Sequence, residues 1–185
     1  MTEERPLEEL VEAAVYGELN LPGWDEAFEQ LIARINLVHI ASPEIGLPPM
    51  DEAGRREFFR HAFQKCPQLD EFELIPALDA FVGAGRLQWL DEIVPCHWKV
   101  GGHAIPLEYS HETDPGEGVA FAPTARVEAG QLAGVDYHPF VCEGRVAVRI
   151  ELVDRRGRRL DETFDWPAYR ARESDTTGKA GGLNL

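Results

Sequence analysis

Residues 144–163 read Gly144-Arg145-Val146-Ala147-Val148-Arg149-Ile150-Glu151-Leu152-Val153-Asp154-Arg155-Arg156-Gly157-Arg158-Arg159-Leu160-Asp161-Glu162-Thr163, and they decide the fold class. Val146, Val148, Ile150 and Leu152 alternate with Arg145, Ala147, Arg149 and Glu151. A period of two places the apolar set on one face of a strand and the polar set on the other. Residues 154–157 are turn-forming, so the pattern predicts a hairpin whose second strand covers 158–163. Residues 164–172 follow as an aromatic-rich turn or helix. Beyond Glu173 the Ser, Thr and Gly content predicts a frayed, flexible tail over 173–185.

Upstream the strand character continues. Residues 96–100 and 104–110 flank Gly101-Gly102, which predicts a tight hairpin. Residues 111–118 read as a polar loop, 119–122 as a strand, and 128–133 as a short helix closed by Gly134. Before Pro95 the period changes to that of helices. Leu7, Leu10, Val11, Ala14 and Val15 form one stripe, stopped at Gly17. Ala27, Phe28, Leu31, Ile32, Ile35 and Val38 form a second. A third helix starts near Asp51, buries Phe58, Phe59, Ala62 and Phe63, and ends at Cys66-Pro67. Leu74, Leu78, Phe81 and Val82 mark a fourth, and 87–94 a short fifth. The expected class is α+β: an N-terminal helical segment, 1–94, packed on a small β-rich C-terminal domain, 95–172, with 173–185 as the tail.

Composition narrows the function classes. The 185 residues carry a net charge of −15, and residues 1–94 hold 7 Lys+Arg against 19 Asp+Glu, or −12. Such a surface repels phosphate backbones, which leaves the first half a solvated face or a dock for a basic protein. No apolar run reaches the roughly 20 residues needed to span a membrane. The acidic start, 1–10, does not read as a secretory signal. Three widely spaced cysteines, Cys66, Cys96 and Cys142, point to reduced thiols and a cytoplasmic location.

Three ordered segments resemble the C-terminal accessory region of HrpB-type bacterial ATP-dependent (DEAH-box-like) helicases. The first is Gly17-Glu18-Leu19-Asn20-Leu21-Pro22-Gly23-Trp24, with Gln30 and Ala33-Arg34-Ile35-Asn36-Leu37. The second is 87–97, where Leu90-Asp91 and Pro95 lead into a strand, a glycine turn and the strand 105–109 ending in Tyr109. The third is Gly134, Gly144-Arg145-Val146, Gly157-Arg158, Thr163 and Asp165. The match spans roughly 15–170. It implies that ATP and Mg belong to an upstream helicase core, and that core domains of the same polypeptide are the partner.

The residues themselves offer no catalytic constellation. A phosphate-cradling loop needs Gly-x-x-x-x-Gly-Lys-Ser/Thr, whereas Gly178-Lys179 is followed by Ala180 and preceded by Glu173 at the first glycine position. Asp91-Glu92 reads as a polar helix end. Cys96, His97, His103, His111 and Asp114 invite a zinc or hydrolase reading, but no paired short ligand spacing exists among them. No Gly-x-Ser-x-Gly elbow is present. This chain is therefore expected to be no enzyme on its own, to bind no metal, and to have no catalytic residues.

The candidate site is the arginine hairpin. Arg145, Arg149, Arg155, Arg156, Arg158 and Arg159 oppose only Glu151 and Asp154 within 144–160, a local +4 in an acidic chain. Planar guanidinium forks suit RNA phosphates or an acidic protein surface. The same charges equally suit a solubilising edge held by internal ion pairs. Trp166 and Tyr169 read as core rather than as stacking platforms. The function expected is a non-catalytic module bracing a helicase core and contributing to nucleic-acid contact. The alternative is a stand-alone acidic protein-interaction adaptor.

Overall fold

The computed structural model describes residues 6–110 and 122–180, and the chain divides into two compact units between Val94 and Pro95. In the first, α1 covers Leu7–Val15, α2 Glu26–Ala41, α3 Glu52–Lys65, α4 Leu74–Val82 and the single turn α5 Leu90–Ile93. The segment expected as one short helix over 87–94 is thus a 3-10 turn, Arg86–Trp89, running into α5.

Helix starts follow local chemistry. The Asp25 carboxylate accepts the Phe28 N–H at 3.0 Å, and Asp51 accepts the Gly54 N–H at 2.9 Å. Each satisfies a donor that the first helical turn leaves without a partner. The aromatic core then forms along α3. Phe59 stacks on Trp24 at 5.4 Å, touches Phe58 at 4.9 Å and lies against Phe63 at 5.5 Å. Gly54 has no room for a side chain, since a Cβ there would sit 1.9 Å from the Pro49 carbonyl oxygen.

Helix α2 departs from the amphipathic stripe. Ile32 to Val38 are buried without a break, including Arg34 and Asn36. Both polar groups find backbone partners: Arg34 Nε donates to the Val94 carbonyl at 2.7 Å, and Asn36 Oδ1 accepts the Met50 N–H at 3.2 Å. Arg34 also pairs through Nη2 with Asp91. The first two segments of the helicase resemblance are joined by this contact.

The second unit is built on a five-stranded mixed sheet in the order β1-β2-β3-β6-β7. Here β1 is His97–Val100, β2 His103–Glu108, β3 Thr124–Val127, β4 Phe140–Val141, β5 Val146–Ala147, β6 Arg149–Val153 and β7 Arg159–Thr163. Gly101 and Gly102, both at positive φ, close the β1–β2 hairpin. The Tyr109 hydroxyl donates to the Pro95 carbonyl at 2.7 Å, tying the end of this hairpin to its start. One face, with Ile105, Leu107, Ala125, Val127, Ile150 and Leu152, is buried.

Two expectations are corrected, and a third falls almost wholly beyond the described residues. The strand over 145–152 is two strands, because the Val148 N–H turns to the Pro139 carbonyl at 3.0 Å while the Arg149 N–H goes to Pro123 at 2.8 Å. Consequently β5 pairs with β4 in a separate two-stranded sheet, and only β6 joins the main one. Strand β3 lies at Thr124–Val127 and pairs in parallel with β6; the strand expected at 119–122 falls almost wholly outside the described residues. Finally, α6 runs from Trp166 to Ala180, so helical backbone continues where a frayed tail was expected from 173. Its start is fixed by Asp165, whose carboxylate accepts the Ala168 N–H at 3.0 Å. Thr163 Oγ1 in turn accepts the Asp165 N–H at 3.0 Å.

Candidate functional site

The six arginines do not form one patch. Arg145 lies in the exposed turn between β4 and β5, whereas Arg149 opens β6. The break at Val148 therefore separates two residues that the alternation placed on one strand face. Arg155 and Arg156 stand exposed at the β6–β7 turn, Arg158 follows them, and Arg159 opens β7.

The polar face of the sheet neutralises itself. Arg126 on β3 donates through Nε to Glu151 at 3.0 Å and approaches Glu108 at 3.5 Å. Arg159 reaches Glu151 at 3.7 Å and Glu162 at 2.7 Å. Arg149 lies 3.9 Å from Glu162, with its guanidinium over the Phe164 ring at 5.5 Å. Three guanidiniums thus alternate with three carboxylates across four strands. The Glu151–Arg126 hydrogen bond holds the Arg126 guanidinium above its usual pKa. Glu151 is only 8% exposed, which a carboxylate tolerates when it is paired on both sides. Its neighbour Arg126 comes from a strand 25 residues away, with no local signal in the sequence.

The turn behaves differently. Asp154 Oδ1 accepts the N–H groups of Arg156 and Arg158 at 2.8 and 2.9 Å, and Oδ2 accepts Arg158 Nε at 2.8 Å. These bonds, led by the Arg158 backbone N–H, hold the Asp154 carboxyl below its usual range. The turn is therefore braced from inside by one carboxylate, which occupies Arg158. Among the described residues, the Arg155 and Arg156 side chains pair with no carboxylate, and both point into solvent. Two always-charged forks on a braced turn can take a phosphate or a carboxylate with little loss of loop entropy.

The histidine span gives a negative geometry. In the β1–β2 ladder His97 faces Pro106 and His103 faces Val100, at opposite ends. Three residues of strand separate them, about 10 Å. Cys96 is exposed, while His111 and Asp114 lie outside the described residues. Among the described residues no group of three or more His, Cys, Asp or Glu side chains could hold a metal ion. Trp166 is buried at 4% exposure, its Nε1 donating to the Val135 carbonyl at 3.1 Å, and Tyr169 stacks on it at 5.7 Å. No helix among the described residues is long and apolar enough to cross a membrane.

A helical unit followed by a mixed sheet has counterparts among known proteins. The chain belongs to the family of ATP-dependent helicase C-terminal domains, whose description matches residues 57–175 and so spans both units. Two solved structures share the fold. One, the E. coli DExH-box NTPase HrpB, matches 98% of this chain and 24% of its own, at 22% identity and a TM-score of 0.65. The other, the Escherichia coli DEAH/RHA helicase HrpB, matches 91% of this chain and 22% of its own, at 23% identity and a TM-score of 0.61. This chain thus spans about a quarter of the length of those helicases. At these identities the likeness carries the fold. No curated protein matches the sequence.

Proposed function

We propose that the chain is a non-catalytic C-terminal module of an ATP-dependent RNA helicase, bracing the motor core and contributing a nucleic-acid contact. ATP and Mg are assigned to the core, which is the module's partner in the same polypeptide. The observation that carries the nucleic-acid contact is the inequality among the six arginines. Arg149, Arg158 and Arg159 are engaged by Glu162, Asp154 and Glu151, whereas Arg155 and Arg156 project from a braced turn. The −12 charge of residues 1–94 favours a contact confined to the second unit.

Internal pairing leaves that net charge unchanged but occupies several of the unit's cations. Arg56 forks onto Glu12 at 2.8 and 3.3 Å, Arg60 onto Glu8 at 2.9 and 2.8 Å, and Arg55 meets Glu29 at 3.1 Å. Arg55, Arg56 and Arg60 are thus occupied within the helical unit, so its remaining carboxylates suit a basic protein surface such as a motor domain. The test is fluorescence anisotropy with short single-stranded RNA at low and moderate salt. Arg155→Ala/Arg156→Ala is expected to weaken binding and flatten its salt dependence. Salt-sensitive binding unchanged in that variant would move the contact elsewhere.

A further inference from the structure

Two large aromatic side chains of the second unit stand half out of the protein, Tyr137 at 48% and Phe140 at 53% exposure. Both belong to the segment that links the buried Val135 to β4. That segment is fastened on every side. Trp166 Nε1 donates to the Val135 carbonyl at 3.1 Å, the Val148 N–H to Pro139 at 3.0 Å, and Phe140 faces Ala147 in the β4–β5 ladder. His138 contributes two more ties: Nδ1 accepts the Trp166 N–H at 3.1 Å, which leaves Nε2 to donate to the Val148 carbonyl at 2.9 Å.

The rings are supported as well as exposed. Trp98 meets Tyr137 edge to face at 6.3 Å and 79°, and His138 meets Phe140 at 5.5 Å and 83°. A T-shaped contact of this kind fixes a ring's orientation while leaving much of its surface open. Arg145 is exposed in the β4–β5 turn that follows Phe140 in the chain. A partner protein would favour a contiguous apolar patch. Here His138 stands between the two in sequence, and three residues of chain hold their Cα atoms at most about 10 Å apart. Two exposed rings, each pre-oriented by its own edge-to-face support, suit bases, each of which presents its own π-face.

We infer that Tyr137 and Phe140 form a base-stacking platform for single-stranded nucleic acid, an inference that rests on the proposed nucleic-acid contact. It adds to the phosphate-gripping turn a contact that senses bases rather than charge.

The test compares a 12-nucleotide oligoadenylate with an abasic strand of equal length, using the 185-residue chain. The wild type is expected to prefer the strand that carries bases, and Tyr137→Ala/Phe140→Ala to lose that preference, roughly tenfold or more per ring. Tyr137→Phe/Phe140→Tyr should retain it, and unchanged thermal melts separate lost stacking from lost folding. Arg155→Ala/Arg156→Ala should weaken both strands alike. Equal binding of both strands by the wild type overturns the platform while the phosphate contact stands. Binding of neither overturns both readings. Loss of association with a helicase core in the Tyr137→Ala/Phe140→Ala variant, without any base preference in the wild type, reassigns the rings to protein docking and also overturns the platform.

Discussion

Arg34 and Asp91, 57 residues apart in sequence, form an ion pair that closes the helical unit, with the guanidinium side chain 8% exposed and the carboxylate side chain 72% exposed. Arg34 also caps the Val94 carbonyl, so α2 is fastened to the chain just ahead of Pro95. The two partners are unequal. Arg34→Ala strips a buried carbonyl of its donor and is expected to cost about 1–3 kcal/mol. Asp91→Asn leaves the Arg34–Val94 bond in place and is expected to cost about 1 kcal/mol or less. Urea unfolding of both variants checks the asymmetry, and equal losses would refute it.

Gly54 lies where α3 passes the Pro49 carbonyl. Although alanine normally favours a helix, Gly54→Ala forces backbone apart and should destabilise by about 1–3 kcal/mol. Asp51→Ala, which removes only the cap, should cost about 1 kcal/mol. A midpoint for Gly54→Ala at or above the wild-type value would show that Pro49 yields easily.

Burial lowers the His138 pKa, against weaker opposing effects of the Val148 carbonyl and Asp165. A lowered folded value means the unfolded chain binds the proton first. The stability contributed by His138 is therefore complete above the ordinary histidine value near 6.5 and is lost as the pH falls from there through the lower folded value. Protonation would also deprive the Trp166 N–H of its acceptor and set a cation at the α6 N-terminus. Urea midpoints should fall between pH 7.5 and 5.5 in the wild type, and less so in His138→Phe. Glu8, Glu12 and Asp154 are lowered too, by Arg60, Arg56 and Arg158 hydrogen bonds, but their loss comes in the more acidic carboxylate range.

Glu151 neutralises two guanidiniums on the sheet face. Glu151→Gln should lower stability by about 1–3 kcal/mol. It should also release Arg126 and Arg159 toward solvent phosphates, so that RNA affinity at low salt rises and its salt slope steepens. Unaltered affinity would mean that this face lies off the nucleic-acid path.

The cysteines should separate by reactivity. Burial pushes the Cys142 thiol up to about 11, and its side chain is fully enclosed, whereas Cys96 is exposed. A thiol reagent at neutral pH should modify Cys96 at once and Cys142 only in denaturant. Fast modification of Cys142 itself in the native protein, located by peptide mapping, would show that the β4–β5 turn opens.

By itself the sequence determined the elements that local chemistry controls. Helices α1 to α4 follow from apolar spacing, with Asp51 marking the start of α3, the β1–β2 hairpin from Gly101-Gly102, and the β6–β7 turn from Asp154 to Gly157. The ordered motifs also carried the helicase resemblance. What only the tertiary structure decided was pairing at a distance. Val148 alternates like any strand residue, yet the Pro139 carbonyl draws its N–H away and splits the strand in two. Strand β3 holds a small Ala125 and a charged Arg126, a faint local pattern made stable by its parallel partner β6. The count of +4 over 144–160 leaves out Arg126, Glu108 and Glu162, which the sheet brings alongside these arginines. Coulomb energy depends on separation in space, and separation along the chain does not report it.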